Sequence, residues 1–365
     1  MLNKKTVAVV VPCFNEETQI SNVLNNIPDF VDLIIVVDDF SNDRSFDVLN
    51  EWQNKNKLKN KQNIKPKDFF YSSNPYDFAN NEVNNLRKKQ IKEYTRSEVY
   101  ENINSKLVII KHRVNSGAGA AIASGYKYAR DCSIDCTAVV DGDGQMDTRV
   151  LKSLCQPIVD EIADYCKGNR LRHLSAKLVM PKIRYFGNSI LSILTKVSSG
   201  YWKIKDTQSG FTAISLKALE NIEIFKIYKS YGYPNDILVK LNIASLKVTE
   251  IPVNPIYGVG EKSKMKISKV VFTISILLIK LFFERLFKKY LLDDFHPLFL
   301  LYNFSFLCFF VDIWVSYKWL IAFSQNNIMY GHLAIMLTLG FFAFQSLIFA
   351  MWFDIQDNEN LYIHN

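Results

Sequence analysis

Two aspartates two residues apart, Asp141 and Asp143 in the run AVVDGDGQMD (Ala138–Asp147), have the residue type and spacing most suited to chemistry in this 365-residue chain. An apolar run delivers them onto a turn loosened by Gly142 and Gly144, with Gln145 next in line. Two carboxylates with so little bulk between them can share a hard divalent cation such as Mg²⁺ or Mn²⁺ through oxygen. An ion held there can neutralise charge gathering on a departing diphosphate. A plain polar turn and a calcium loop are the competing readings. An EF-hand does not fit, because the twelfth position counted from Asp141 is Lys152 where a bidentate Glu is required.

Other polar clusters recur at matching places. VVPCFNEE (Val10–Glu17) and VVDDFSND (Val36–Asp43) carry carboxylates able to accept from a base N–H or a ribose hydroxyl. NSGAGAAIASG (Asn115–Gly125) is a glycine-bearing helix start. It lacks both the GxGxxG spacing and the lysine of a P-loop, so as a phosphate cradle it is weak. Each cluster follows a short apolar run: Thr6–Val11, Leu33–Val37, Leu107–Lys111 and Ala138–Val140. A helical pattern spans about Glu16–Ile27. Fully apolar strands alternating with helices predict an α/β fold, a mostly parallel sheet covered on both faces. Ligands of such sheets sit beyond the carboxyl ends of the strands. Residues 50–105 break the pattern with an Asn- and Lys-dense stretch, read as a surface insertion with one helix at about Asn81–Tyr100.

The last quarter differs in character. Net charge is +8 overall, but from Leu291 onward six acidic residues face one lysine, which leaves +13 for residues 1–290. That excess suits an anionic partner such as a nucleoside diphosphate, a lipid phosphate or an anionic membrane face. No nucleic-acid motif accompanies it. Residues 261–292 form a basic helical stretch with Ile267, Val270, Val271, Ile274, Leu277, Leu278 and Leu281 at helical spacing. It reads as a helix lying in the headgroup region, with an ordinary helix packed on the domain as the alternative. Within residues 293–365, two apolar stretches, about Leu298–Phe323 and Ile328–Phe353, exceed the ~20 residues that cross a hydrocarbon core. The basic approach predicts a cytoplasmic catalytic part, and two spans return the tail to the same side. Asp312 is a carboxylate inside the first span. The start MLNKKTVAVVVP reads as a first strand and not as a signal peptide. The six cysteines show no CxxC or ligand spacing and read as reduced thiols.

VPCFNEE, VVDDFSND, NSGAGAAIASG and VVDGDGQMD, in this order and spacing, resemble the catalytic domain of glycosyltransferase family 2, which has the Rossmann-like GT-A fold. KGNR (Lys167–Arg170), MPKIRYFGN (Met180–Asn188), DTQSGF (Asp206–Phe211), YGYPND (Tyr231–Asp236) and YGVGEKSK (Tyr257–Lys264) resemble its polyprenyl-phosphate branch, that of dolichol-phosphate mannose synthases and bacterial undecaprenyl-phosphate sugar transferases. The resemblance covers about residues 1–290 without the insertion, and places a catalytic domain at 1–260. It implies that Pro12, Phe14, Glu16 and Asp39, with Asp38, contact the nucleoside. Asp141, Asp143 and Gln145 would hold Mg²⁺ or Mn²⁺ and the diphosphate, which Arg170 approaches. Arg184 would meet the acceptor phosphate, and Asp206, Gln208, Ser209 and Lys264 would line the acceptor side. Two departures bear on base selectivity: Phe40 stands where the family has a small residue, and the 50–105 insertion has no counterpart.

The implied reaction is an inverting displacement from a UDP- or GDP-sugar onto a polyprenyl phosphate at the membrane. A lipid phosphate is already an anion at neutral pH, so it needs cations such as Arg184 and Lys264 more than a base. A sugar hydroxyl would need a carboxylate base, and Asp206 and Asp236 are the candidates. Transfer to a saccharide or glycolipid hydroxyl is thus the alternative, with a catalytically inactive nucleotide-sugar-binding membrane protein further off. No QxxRW motif of processive synthases occurs. The sequence is compatible with a homo-oligomer and does not decide for one.

Overall fold

The computed structural model describes residues 1–56, 64–67, 71–94, 97–102, 105–171, 182–254, 256, 267–325 and 330–364. Its centre is one sheet of nine strands among these residues: β1 (Val7–Cys13), β2 (Leu33–Asp38), β3 (Ser97–Glu101), β4 (Leu107–His112), β5 (Cys136–Val139), β6 (Tyr165–Asn169), β7 (Thr212–Ser215), β8 (Val248–Pro252) and β9 (Tyr362–Ile363). The order is β3-β4-β2-β1-β5-β7-β6-β8-β9. Strands β4, β2, β1 and β5 run parallel, as do β6, β8 and β9, whereas β7 is antiparallel to both its neighbours and β3 to β4. The mostly parallel α/β architecture expected from the apolar runs is present.

Alternating side chains fill two cores. Ala8, Val10, Leu33, Ile35 and Val37 point to one face, against α4 (Ala118–Asp131). Val7, Val9, Val11, Ile34 and Val36 point to the other, against α1 (Ile20–Asn25), α2 (Ser45–Lys55) and α5 (Leu151–Val159). Both faces are covered, so the central strands are apolar through most of their length.

Some elements differ from their expected bounds. Helix α1 starts four residues later than the pattern suggests, because Asn15 takes a left-handed φ of 57° and a turn closes from Glu16 to Gln19. In the insertion, α3 (Phe78–Tyr94) ends before the expected Tyr100. Residues 97–101 form the edge strand β3 instead, where Val99 pairs with Ile110 and Tyr100 with Ile109.

Helices α6 (Lys182–Ser199), α7 (Leu216–Asn221) and α8 (Tyr233–Ile243) complete the domain. Helix α9 (Ile267–Phe287) then lies against α6, with Val271, Ile274 and Leu278 on Leu191 and Leu194. The apolar series picked out in the sequence therefore faces the protein where its side chains are described. A second apolar stripe, Phe272, Ile276, Ile279, Phe283 and Phe287, is 47–69% exposed on the opposite side.

A π-helical turn, Lys288–Asp293, leads to α10 (Pro297–Ser324) and α11 (Tyr330–Asp357), each of 28 residues and about 42 Å long at 1.5 Å per residue. They pack on one another and are candidate membrane spans by length and mean hydropathy of 1.9 and 2.1. Leu307, Phe310, Trp314, Leu337, Phe341 and Phe344 stand 57–66% exposed along them. Helix α11 continues past the expected end at Phe353 because Asp354 is not tail but a buried ion-pair partner, fully enclosed with Arg285 of α9. The pair is bidentate at 2.8 and 2.9 Å, and Arg285 also donates to the carbonyls of Ser198 and Val197 at the end of α6. Tyr290 and Asn358 donate to the same carboxylate oxygen of Asp354. After this joint the chain returns to the catalytic sheet as β9, paired with β8. All six cysteines are buried and unpaired.

Removing one partner of such a joint leaves a buried charge unmatched, at a cost of about 3–5 kcal/mol. Asp354→Ala is therefore expected to lower the thermal midpoint of detergent-solubilised protein, and the pair Arg285→Met with Asp354→Leu to recover most of the loss. Equal midpoints for the wild type and Asp354→Ala would rule out the joint.

Candidate active site

Strand direction assembles the site. The parallel strands β1, β2, β4 and β5 end at one edge of the sheet, and β6 ends there too. Antiparallel β7 begins there, which brings Asp206–Phe211 to the same edge. The residues after β1 and β2 brace each other: Asn15 N–H donates to Ser41 Oγ, Asn42 N–H to Asn15 Oδ1, and Glu16 N–H to Ser45 Oγ, all within 3.0 Å. Phe40, 44% exposed, holds a left-handed φ of 65° in this turn.

Asp38 and Asp39 are buried beneath the turn. Asp38 Oδ1 accepts from Ser41 N–H, while its Oδ2 is buried with no hydrogen-bond partner. Asp39 is more heavily used. It accepts the N–H groups of Ser116 (2.9 Å) and Gly117 (2.6 Å), and His112 Nδ1 lies 2.7 Å from it. His112, whose Nε2 meets Ser124 Oγ at 2.8 Å, is a site residue the sequence reading passed over. Both oxygens of Asp39, for which the resemblance implies a nucleoside contact, are engaged in holding the 115–117 turn and His112.

That turn is not an open phosphate cradle. The carbonyl of Lys229 accepts from Gly119 and Ala120 N–H, covering the start of α4. A Cβ on Gly119 would lie 2.0 Å from the Tyr228 carbonyl oxygen, so the glycines serve close packing of the 228–232 segment.

Asp141 and Asp143 lie past β5, beside the first loop: Gly142 N–H donates to the Pro12 carbonyl, and a Cβ at Gly142 would sit 3.7 Å from Glu16 Cγ. Asp143 Oδ1 accepts from Gln145 N–H. Burial and the neighbouring Asp143 push the Asp141 carboxyl up to about 7, Arg170 opposing and Glu16 adding to the rise. Two carboxylates that resist ionising together fit a hard cation, which would relieve their repulsion. Among the described residues no third His, Cys, Asp or Glu completes a ligand set. The pair would hold an ion jointly with ligand oxygens.

On the other flank Arg170, past β6, forms a fork with Asp206: Nε to Oδ2 at 2.8 Å and an Nη to Oδ1 at 3.1 Å. Burial works against ionisation of Asp206, but Arg170 outweighs it and holds the carboxyl below its usual range. Gln208 donates to Asn235 at the start of α8, and the Ser209 carbonyl accepts from buried Lys167, whose ammonium is pushed down to about 8 by burial. Asp236 is enclosed, one oxygen taken by Lys240 Nζ and the other by Tyr228 N–H at 2.7 Å. Arg184 lies in the first turn of α6. Its side chain and all of Lys264 fall outside the described residues.

The model of the family described as glycosyl transferase family 2 matches residues 8–69 and 88–223. Among individual proteins, the chain is 29% identical over 254 residues to the UDP-N-acetylglucosamine–dolichyl-phosphate N-acetylglucosaminyltransferase of Methanococcus voltae, covering 69% of this chain and 86% of that one. It is 24% identical over 257 residues to an uncharacterised protein of Methanocaldococcus jannaschii, covering 70% and 84%. Of solved structures, glucosyl-3-phosphoglycerate synthase from Mycobacterium tuberculosis aligns at 16% identity with a TM-score of 0.46, over 77% of this chain and 80% of that one. With more than half of its residues matched by the family model, and with the motif loops gathered at one sheet edge, the chain belongs to glycosyltransferase family 2.

Proposed function

We propose that this protein transfers a sugar, with inversion, from a UDP- or GDP-sugar to a polyprenyl phosphate at the cytoplasmic face of a membrane. The observation that carries the choice of acceptor is the state of the two candidate bases. Asp206 is tied to Arg170 and held at low proton affinity, and both oxygens of Asp236 are engaged by Lys240 and Tyr228. A hydroxyl acceptor needs an available carboxylate within reach of its proton. A phosphate acceptor arrives as an anion and needs only positioning. The relative in Methanococcus voltae, named for dolichyl phosphate, supports the same acceptor class.

In this reading the braced loops after β1 and β2 receive the nucleoside. Asp141 and Asp143, with Gln145, hold Mg²⁺ or Mn²⁺ together with the donor's diphosphate. When bound, that ion supplies neutralisation of the charge left on the diphosphate. Arg170 adds a guanidinium on the same side, and Arg184 and Lys264 receive the acceptor phosphate. The exposed stripe of α9 and the long apolar helices rest in the membrane. Return of the chain to the catalytic sheet as β9 supports two spans, with the tail beside the catalytic domain.

Incubation with Mg²⁺ or Mn²⁺, a panel of UDP- and GDP-sugars and a polyprenyl phosphate is expected to give a glycosylated lipid by mass spectrometry; sugar appearing on saccharide acceptors alone overturns the proposal. Arg184→Ala should lower kcat/KM by about 100-fold or more, while Asp236→Asn keeps kcat within about threefold and loses stability, since removing a true base costs ~10²–10⁴-fold. Protons compete with the cation for Asp141, which binds its proton up to about pH 7. Calorimetric Mn²⁺ affinity should therefore rise from pH 6 to pH 8 by about tenfold and level off above pH 8. A flat profile would show that Asp141 gives up its proton well below pH 6 or does not hold the ion, and Asp141→Asn, expected to abolish Mn²⁺ binding, separates the two.

A further inference from the structure

A carboxylate with no part in the proposed chemistry lies directly beneath Asp206. Glu250, in β8, is 3% exposed. Its Oε1 accepts the Asp206 N–H at 3.0 Å and the Lys205 N–H at 3.2 Å. Its Oε2 accepts the Lys205 N–H at 3.0 Å and the side-chain amide of Asn169 at 3.1 Å. Tyr362 of β9 reaches Oε2 with its hydroxyl at 3.4 Å. Burial raises the Glu250 carboxyl above its usual range, and the backbone N–H groups of Asp206 and Lys205 work against that rise. A charged group is enclosed at such cost only where donors converge on it. Here the donors come from three separate places in the sequence: the end of β6, the segment before β7, and the strand that follows α11.

Two of the residues that Glu250 holds are those that aim Arg170. Asn169 immediately precedes it, and Asp206 grips its guanidinium and accepts its backbone N–H at 3.1 Å. The Arg170 side chain is 24% exposed and lies within electrostatic reach of Asp141. We propose that Glu250 is a positioning residue for the transfer step. It sets the backbone at 205–206 and Asn169 so that Arg170 faces the diphosphate, and Tyr362 completes its cradle. The inference rests on the reading of Arg170 as a diphosphate contact. A positioning error of about 1 Å in such a group can cost up to ~10²-fold in rate.

A double-mutant cycle on the full chain tests this. Glu250→Gln keeps the shape but replaces one acceptor oxygen with an NH₂ donor, which faces the Lys205 N–H in either orientation of the amide. It is expected to lower kcat by about 10–100-fold while the dissociation constant of free UDP or GDP changes by less than about threefold. Arg170→Lys alone should also lower kcat, and the double variant should be no slower than the worse single by more than about threefold, because both act through one guanidinium. Tyr362→Phe removes one hydroxyl at constant shape and serves the same cycle if Glu250→Gln does not fold. It should lower kcat by a few fold in the wild type and by nothing further in Arg170→Lys. Wild-type kcat in Glu250→Gln, or losses that multiply with Arg170→Lys, would sink the inference. Absence of lipid product from the wild type would instead sink the acceptor reading, whereas multiplied losses in an active wild type touch Glu250 alone.

Discussion

Because β1, β2, β4 and β5 run in one direction, each loop that leaves them emerges at the same edge of the sheet, and β6 adds another. Antiparallel β7 contributes its entering loop there for the opposite reason. Residues more than 190 positions apart, from Pro12 to Asp206 and Gln208, come together by this rule of direction. The apolar interior of the strands holds the direction fixed, since a one-residue slip would turn one core into the other. The chemistry at the edge is therefore as rigid as the packing below it.

Charge at that edge is divided by flank. Asp141, Asp143 and Glu16 stand on the β1–β5 side with mutual repulsion, and Arg170 with Lys167 on the β6–β7 side. Asp206 and Glu250 moderate the cations without cancelling their use. In the function proposed above, phosphate oxygens would meet both flanks at once, Arg170 on one and a metal ion on the other, while buried Lys167 holds the Ser209 carbonyl.

Much of this was legible in the residues. The four central strands, the aspartate pair and the two long apolar helices declare themselves through local pattern: unbroken apolar runs, a DGD turn, and lengths near a bilayer's thickness. The remaining strands did not. YCKGN and VTEIP each place a charged residue inside a strand, at Lys167 and Glu250, which masks the apolar signal. Their charges are satisfied only by partners far along the chain, such as Ser209 and Asp206. Residues 97–101 took on strand character through pairing with β4, which overrides the helical pattern before them. His112 carried one available signal, an ionisable ring closing an apolar strand just before the Asn115 turn. The apolar series in α9 was visible, but periodicity alone does not say what a stripe meets, and this helix has one stripe on the protein and a second left exposed.

The Arg285–Asp354 joint also imposes an order on synthesis. Arg285 leaves the ribosome 69 residues before its counter-charge. Until Asp354 follows, the guanidinium lacks the carboxylate that makes its enclosure tolerable. The catalytic domain is thus left unfinished during translation until both long helices have been made. The last strand of the central sheet, β9, follows both long helices, so the sheet and the joint are completed by the same stretch of chain.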